Sequence, residues 1–179
     1  MIAQANTEVK DKISNPMREI FIEKMLLSCG AKSDGLEKSK KLLKLLSGME
    51  PQVIKTQKRI PDFDVSPGLE VGTRVTIRGE EKITKLLQRL LGALDNIISE
   101  DQIENNHFSF GIKEYIEIPG VEYQRDIGIR GLNITIVFNR AGARVARKKI
   151  KAGKVPKKQH VTKEEIINYM EENFNTKID

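Results

Sequence analysis

At 179 residues, with 39% hydrophobic and 31% charged residues and a net charge of +6, the chain suits a globular protein with one sizeable core and a heavily charged surface. No stretch approaches the roughly 18 apolar residues of a membrane span, and the opening MIAQANTEVK has no apolar signal region, so no membrane partner and a cytoplasmic location are expected. The single cysteine, Cys29, excludes an internal disulfide and a multi-cysteine zinc site, and His107 and His160 stand in no ligand spacing, so no metal or cofactor is expected.

Residues 1–14 show no period and are expected to be a loosely ordered extension. Asn15-Pro16 marks a turn that releases a strand over residues 17–28. Its alternation puts Phe21, Met25, Leu27 and Cys29 on one side and Arg18, Ile20, Ile22, Lys24, Leu26 and Ser28 on the other, with Lys24 and Ser28 as its polar positions. Cys29 reads as a small buried hydrophobe at the strand end. A first helix is predicted over 36–47, with Asp34 and Glu37 at capping-box spacing, an apolar face of Leu36, Leu42, Leu43, Leu45 and Leu46, and Gly48 as a left-handed stop.

A strand over 51–59 follows, its far end made basic by Lys55, Lys58 and Arg59. From Ile60 to Gly72, Pro61, Pro67, Gly68 and Gly72 predict a loop. Within it Phe63 either stacks on an RNA base beside cations or folds back as a plug on the core. Asp62 and Asp64 read as a carboxylate pair for a metal or as turn formers.

The stretch Thr73 to Gly79 is extended, with Val75 and Ile77 on one face and Arg74, Thr76 and Arg78 on the other. Taken alone this is the pattern of a solvated sheet face. Ile83, Leu86, Leu87, Leu90, Leu91, Leu94, Ile97 and Ile98 then recur at helical spacing, a stripe long enough to cover Val75 and Ile77. Asp95-Asn96 and Asn105-Asn106 bracket the exit from that helix. Phe108, Phe110, Ile112, Ile116 and Ile118 predict one strand ended by Pro119-Gly120, and Leu132, Ile134, Ile136 and Phe138 give the cleanest alternation in the chain.

From Arg140 to Lys163 there are ten basic residues and no acidic one; setting those ten aside from the 31 leaves 21 basic against 25 acidic residues, a net of −4. With Gly153 and Pro156 inside it, residues 140–161 read as a basic loop whose Arg144, Arg147, Lys148, Lys149, Lys151, Lys154, Lys157 and Lys158 suit phosphate. A solubilising tail has the same composition, but the capped helix that follows pins this segment at both ends. That helix, 162–174, opens with Thr162 and Glu165 in a capping box and Val161 and Ile166 in staple positions. The element order predicts an α+β domain: a mostly antiparallel sheet with helices on one face, the opposite face open and lined by Lys24, Lys55, Arg74 and Arg78.

Eight motifs in one order, NPMREIFIEK (15–24), SGMEP (47–51), KRIPDF (58–63), VTIRGE (75–80), NHFSFGIKEYIEIPGVEY (106–123), DIGIRGLNITIVF (126–138), RVARKK (144–149) and HVTKEE (160–165), resemble the large-subunit ribosomal protein L-five family. The basic loop and final helix resemble its archaeal and eukaryotic branch. The resemblance implies a non-enzymatic constituent of the large ribosomal subunit spanning 15–179 as one domain. It would sit in the central protuberance and hold 5S ribosomal RNA, with 23S-type RNA, neighbouring large-subunit proteins and a small-subunit protein as further partners. It puts the ribosomal RNA face on Ser28, Met49, Arg74, Thr76 and Arg78, beside Lys24 and Lys55 from the alternation. The loop with Lys58, Arg59, Ile60 and Phe63 would approach the peptidyl-site transfer RNA. Ser28 and Met49 stand where the family more often has Asn and Gln, which shifts the expected binding towards Arg and Lys contacts with phosphate. A general basic RNA-binding module, a protein scaffold using the same sheet, and a nucleic-acid enzyme built on Asp62 are the other readings.

Overall fold

In a computed structural model of the chain, residues 15–179 are described, so the expected extension lies outside the described residues. The first strand, β1 (Ile20–Gly30), follows a single 3-10 turn at Pro16–Arg18. Met25, Leu27 and Cys29 are buried as the alternation requires, but Ile22 is buried with them and Phe21 is exposed. The cause is a register shift between Ile22 and Lys24 against the strand β7 (Leu132–Arg140), which makes Glu23 an extra residue and swaps the sides of everything before it.

The helix α1 (Asp34–Ser47) buries Leu36, Leu42, Leu43 and Leu46 and leaves Leu45 exposed. Gly48 takes the left-handed conformation and donates its N–H to the Lys44 carbonyl, as the sequence predicts. The capping box does not form, because Ser33, at φ 47°, is the residue before the helix and its side chain makes no cap. The next strand is shorter than its apolar pattern: β2 covers Gln52–Lys55, not 51–59. Its partner β3 (Glu70–Ile77) begins inside the stretch predicted as loop and buries Val75 and Ile77.

The long stripe after β3 is divided. Helix α2 (Glu80–Gly92) buries Ile83, Leu86, Leu87, Leu90 and Leu91, then Asp95 and Asn96 turn the chain with φ of 52° and 58°. Ile97–Ile98 form a two-residue strand, β4, instead of continuing the helix, and pair in parallel with Lys177–Ile178 (β8) at the other end of the chain. The predicted strand through Ile118 also stops early. A short hairpin joins β5 (Ile103–Glu104) to β6 (His107–Ile112), after which a 3-10 turn at Tyr115–Glu117 buries Tyr115 and Ile118 and exposes Ile116.

β7 realises its alternation without exception, with Leu132, Ile134, Ile136 and Phe138 all buried. The basic stretch contains a four-residue helix, α3 (Arg144–Arg147), and a 3-10 turn at Lys157–Gln159. Helix α4 (Lys163–Phe174) carries both hydrogen bonds of the Thr162–Glu165 capping box, and Val161 and Ile166 are buried as its staple.

Six strands form one sheet in the order β2-β3-β1-β7-β6-β5, with every neighbouring pair antiparallel. The apolar residues of β1, β3, β6 and β7 share one core with those of α1, α2 and α4. This is the α+β class the element order predicts. Cys29 belongs to that core, and burial pushes its thiol up to about 11, with the Arg130 charge pulling weakly the other way. Iodoacetamide at about pH 8.5, the ordinary thiol value, should therefore alkylate native Cys29 far more slowly than the unfolded chain. Mass spectrometry of the two time courses checks this, and equal rates would contradict the buried placement.

Candidate nucleic-acid interface

Because α1 and α2 seal one face, the alternate side chains of β1, β2, β3, β6 and β7 share the other. Register places them in rows. Gln52 stands opposite Arg74, Arg74 opposite Ser28, Ser28 opposite Asn133, and Asn133 opposite Gly111, one row across five strands. The next row runs Thr76, Leu26, Thr135, Ser109. Apart from Leu26 and Gly111 these side chains are amides, hydroxyls and one guanidinium. Arg74 is steered along the row by a hydrogen bond from its Nε to Gln52 Oε1 at 3.1 Å, and Ser109 and Thr135 share a 2.9 Å bond between hydroxyls. Gly111 keeps its end of the row low, since a Cβ there would meet Asn133 Oδ1 at 3.0 Å.

Of the residues singled out in the sequence, Lys24, Ser28, Arg74 and Thr76 lie on this face. Arg78, one residue beyond β3, lines a cleft with Lys24. Lys55 lies past a register shift in β2 and pairs with Glu70 at 3.6 Å. Met49 is exposed where α1 hands the chain to β2, outside the paired rows. Sequence reasoning missed Gln52, Ser109, Gly111, Asn133 and Thr135. Asn133 and Thr135 occupy the polar positions of the cleanest alternation in the chain and were legible there; their partners needed the register.

The arm between β2 and β3 is closed by two rungs. Thr56 exchanges backbone bonds with Gly68 and Leu69, and Ile60 exchanges both backbone bonds with Val65. Asp64, at φ 50°, turns the tip. Val65 is buried and Phe63 is 68% exposed, so Phe63 does not fold back as a plug on the core. Lys58, Arg59 and Ile60 are exposed around it. Asp62 lies in the 3-10 turn Pro61–Phe63 and Asp64 at its end, so both act as turn formers.

The basic segment is exposed at Arg144, Arg147, Lys148, Lys149, Lys151, Lys154, Lys157 and Lys158, and it is tied down at three points. Arg140 is buried and bonded to Glu165 of α4. Asn106 donates to His160 and accepts from the Val161 N–H, each at 2.8 Å. Arg147 reaches Glu23 of the β1 bulge, whose Oε2 also accepts from Asn139. Burial raises the Glu23 carboxyl, but the bonds from Asn139 and Arg147 and the charges of Arg147 and Lys24 outweigh it and hold the group below its ordinary value.

A family model for the C-terminal part of the ribosomal protein L-five family matches residues 70–169. The chain belongs to this ribosomal L-five family. The large ribosomal subunit protein uL5 of Nanoarchaeum equitans is 39% identical over 168 residues, covering 93% of this chain and 99% of that protein. Its namesake in Methanobrevibacter smithii is 38% identical, covering 90% of this chain and 96% of that one, and the protein of Sulfolobus acidocaldarius is 35% identical over 93% and 95%. The archaeal relatives agree with the branch that the sequence motifs resemble.

The depressed Glu23 pKa makes the tie to Arg147 pH-dependent. A carboxyl whose folded value lies below its unfolded one adds stability above the unfolded value and loses it as pH falls through the folded value. Wild-type protein should therefore melt above Glu23→Gln at neutral pH, and the gap should close as pH falls below the ordinary carboxylate range. Paired thermal melts across that range test this; a gap that persists in acid would show that Glu23 acts through packing alone.

Proposed function

We propose that the chain is a structural, non-enzymatic constituent of the large ribosomal subunit that holds 5S ribosomal RNA on its open sheet face. On this reading residues 15–179 act as one RNA-binding unit. The observation that carries the reading is the polar row Gln52–Arg74–Ser28–Asn133–Gly111, which runs across five strands of the sheet. A-form RNA exposes phosphates, riboses and shallow minor-groove edges, and a polar row with one guanidinium can bond to such groups. The basic segment supplies long-range attraction to the same polyanion and to neighbouring 23S-type RNA. The relatives' name as large-subunit proteins supports the assembly, with neighbouring large-subunit proteins and a small-subunit protein as further contacts.

The arm of Lys58, Arg59, Ile60 and Phe63 is assigned to the peptidyl-site transfer RNA. Its support is the exposed ring of Phe63, held on a doubly closed arm among cations. Such a ring stacks on a base or ribose at little ordering cost.

A gel-shift titration against 5S ribosomal RNA, with transfer RNA as competitor and salt varied, tests the sheet face. Wild type should give a discrete complex that survives competitor. The double variant Arg74→Ala, Arg78→Ala should bind more weakly, with each lost phosphate contact removing about 0.7 to 0.9 from the log–log salt slope. A slope that the variant leaves unchanged would refute the open-face assignment.

A further inference from the structure

At one end of the open face a cleft of about 680 Å³ lies between the sheet and the basic segment. We infer that this cleft is a pocket for a single unpaired nucleotide of the RNA strand lying on the open face, an inference that rests on the RNA-binding reading above.

The volume falls within the range of about 300–1,000 Å³ typical of small-ligand sites. A base-paired helix cannot put one base into a walled cleft, whereas an unpaired nucleotide can be splayed into it. Lys24 and Arg78 line it from the sheet side and Lys154 from the basic segment. Among the described residues none of the three is paired to a carboxylate, so all remain available to phosphate. Val137, Ala146 and Val155 supply apolar surface for the faces of a base.

Two polar groups are set to read its edge. Asn106 must present Oδ1 to the Val161 N–H, which turns its Nδ2 donor towards His160 Nδ1. That ring nitrogen is therefore the acceptor, and the imidazole proton sits on Nε2 as a donor whose direction is held by the Asn106 bond. Glu23 is ionised against Arg147 and Asn139, which both bond to Oε2; among the described residues Oε1 accepts no hydrogen bond and can serve as an acceptor. The pocket thus offers one donor and one acceptor to a base edge between apolar walls.

The test uses fluorescence anisotropy with labelled single-stranded RNA homopentamers of the four bases, and a blunt RNA duplex as control. Ala146→Trp fills the cleft, removes no charge, and replaces an exposed side chain. It should weaken binding of the preferred pentamer about tenfold while leaving the salt slope for 5S ribosomal RNA unchanged. In wild type, which has only two histidines, the imidazole nitrogen resonances of His160, assigned by their loss in His160→Gln, should shift on adding pentamer. Unchanged pentamer affinity in Ala146→Trp, a silent His160, or duplex binding as tight as pentamer would each overturn the pocket. Equal affinity for free nucleoside monophosphates would overturn its assignment to an RNA strand. If the pocket fails while Arg74→Ala alone, which lies outside the cleft, still weakens the 5S complex, the sheet-face reading stands alone; wild type that binds neither RNA removes both.

Discussion

The open face exists because the other face is sealed. Met25 and Leu27 of β1, Val75 and Ile77 of β3 and Ile134 and Ile136 of β7 are all buried with Leu42, Leu43, Leu87, Leu90 and Leu91 of the two covering helices. Each such side chain contributes about 1.5–3 kcal/mol relative to exposure. Side chains alternate with a period of two, so slipping any strand by one residue would turn its whole apolar set to water. The core therefore specifies the register, and the register specifies the polar rows. Arg74, Ser28 and Asn133 meet across three strands because Val75, Leu27 and Ile134 must be inside.

The bulge at Glu23 breaks this rule, and it has a consequence at a distance. The extra residue lets Glu23 turn to where both Asn139 and Arg147 reach it. With the Arg140–Glu165 pair and the Asn106 bonds to His160 and Val161, it anchors a segment of ten cations that would otherwise repel one another into an extended tail. Asn106 manages its bonds from a left-handed conformation, φ 68°, that Asn tolerates better than most residues. On the RNA-binding reading, a segment ordered beforehand loses less entropy on binding.

The parts of the fold that were legible in the sequence are those governed by one local period. β7 and the Thr162 cap came out as read because nothing distant competes with them. Phe21 and Ile22 exchanged sides because a bulge is a pairing event, invisible in β1 alone. The stripe after β3 is periodic through Ile98, yet the helix ends at Gly92. A Cβ at Gly92 would meet Pro119 at 3.3 Å, and β8 claims Ile97 and Ile98; both partners are remote in sequence. For the same reason the cations of the candidate site, and Asn133 at its alternate position, were readable from composition and alternation, whereas Gln52, Ser109 and the His160–Asn106 pair, whose partners are remote in sequence, were not.

The residues at positions 28 and 49 show how far a site can be judged one position at a time. Ser and Met there offer no amide, and from the sequence this looks like a loss of RNA-bonding capacity. In the row, however, Ser28 lies between Arg74 and the exposed amide of Asn133, and Gln52 supplies a second amide beyond Arg74. A ribose or phosphate spanning neighbouring strands, about 5 Å apart, meets amide, hydroxyl and guanidinium in succession whichever strand carries them. On the RNA-binding reading, the short Ser28 side chain then keeps the middle of the row low enough for a sugar to approach both neighbours. On the same reading the specificity of such a face would reside in its profile and hydrogen-bonding sequence, with Arg74 and the basic segment at its side adding the salt-sensitive phosphate contacts.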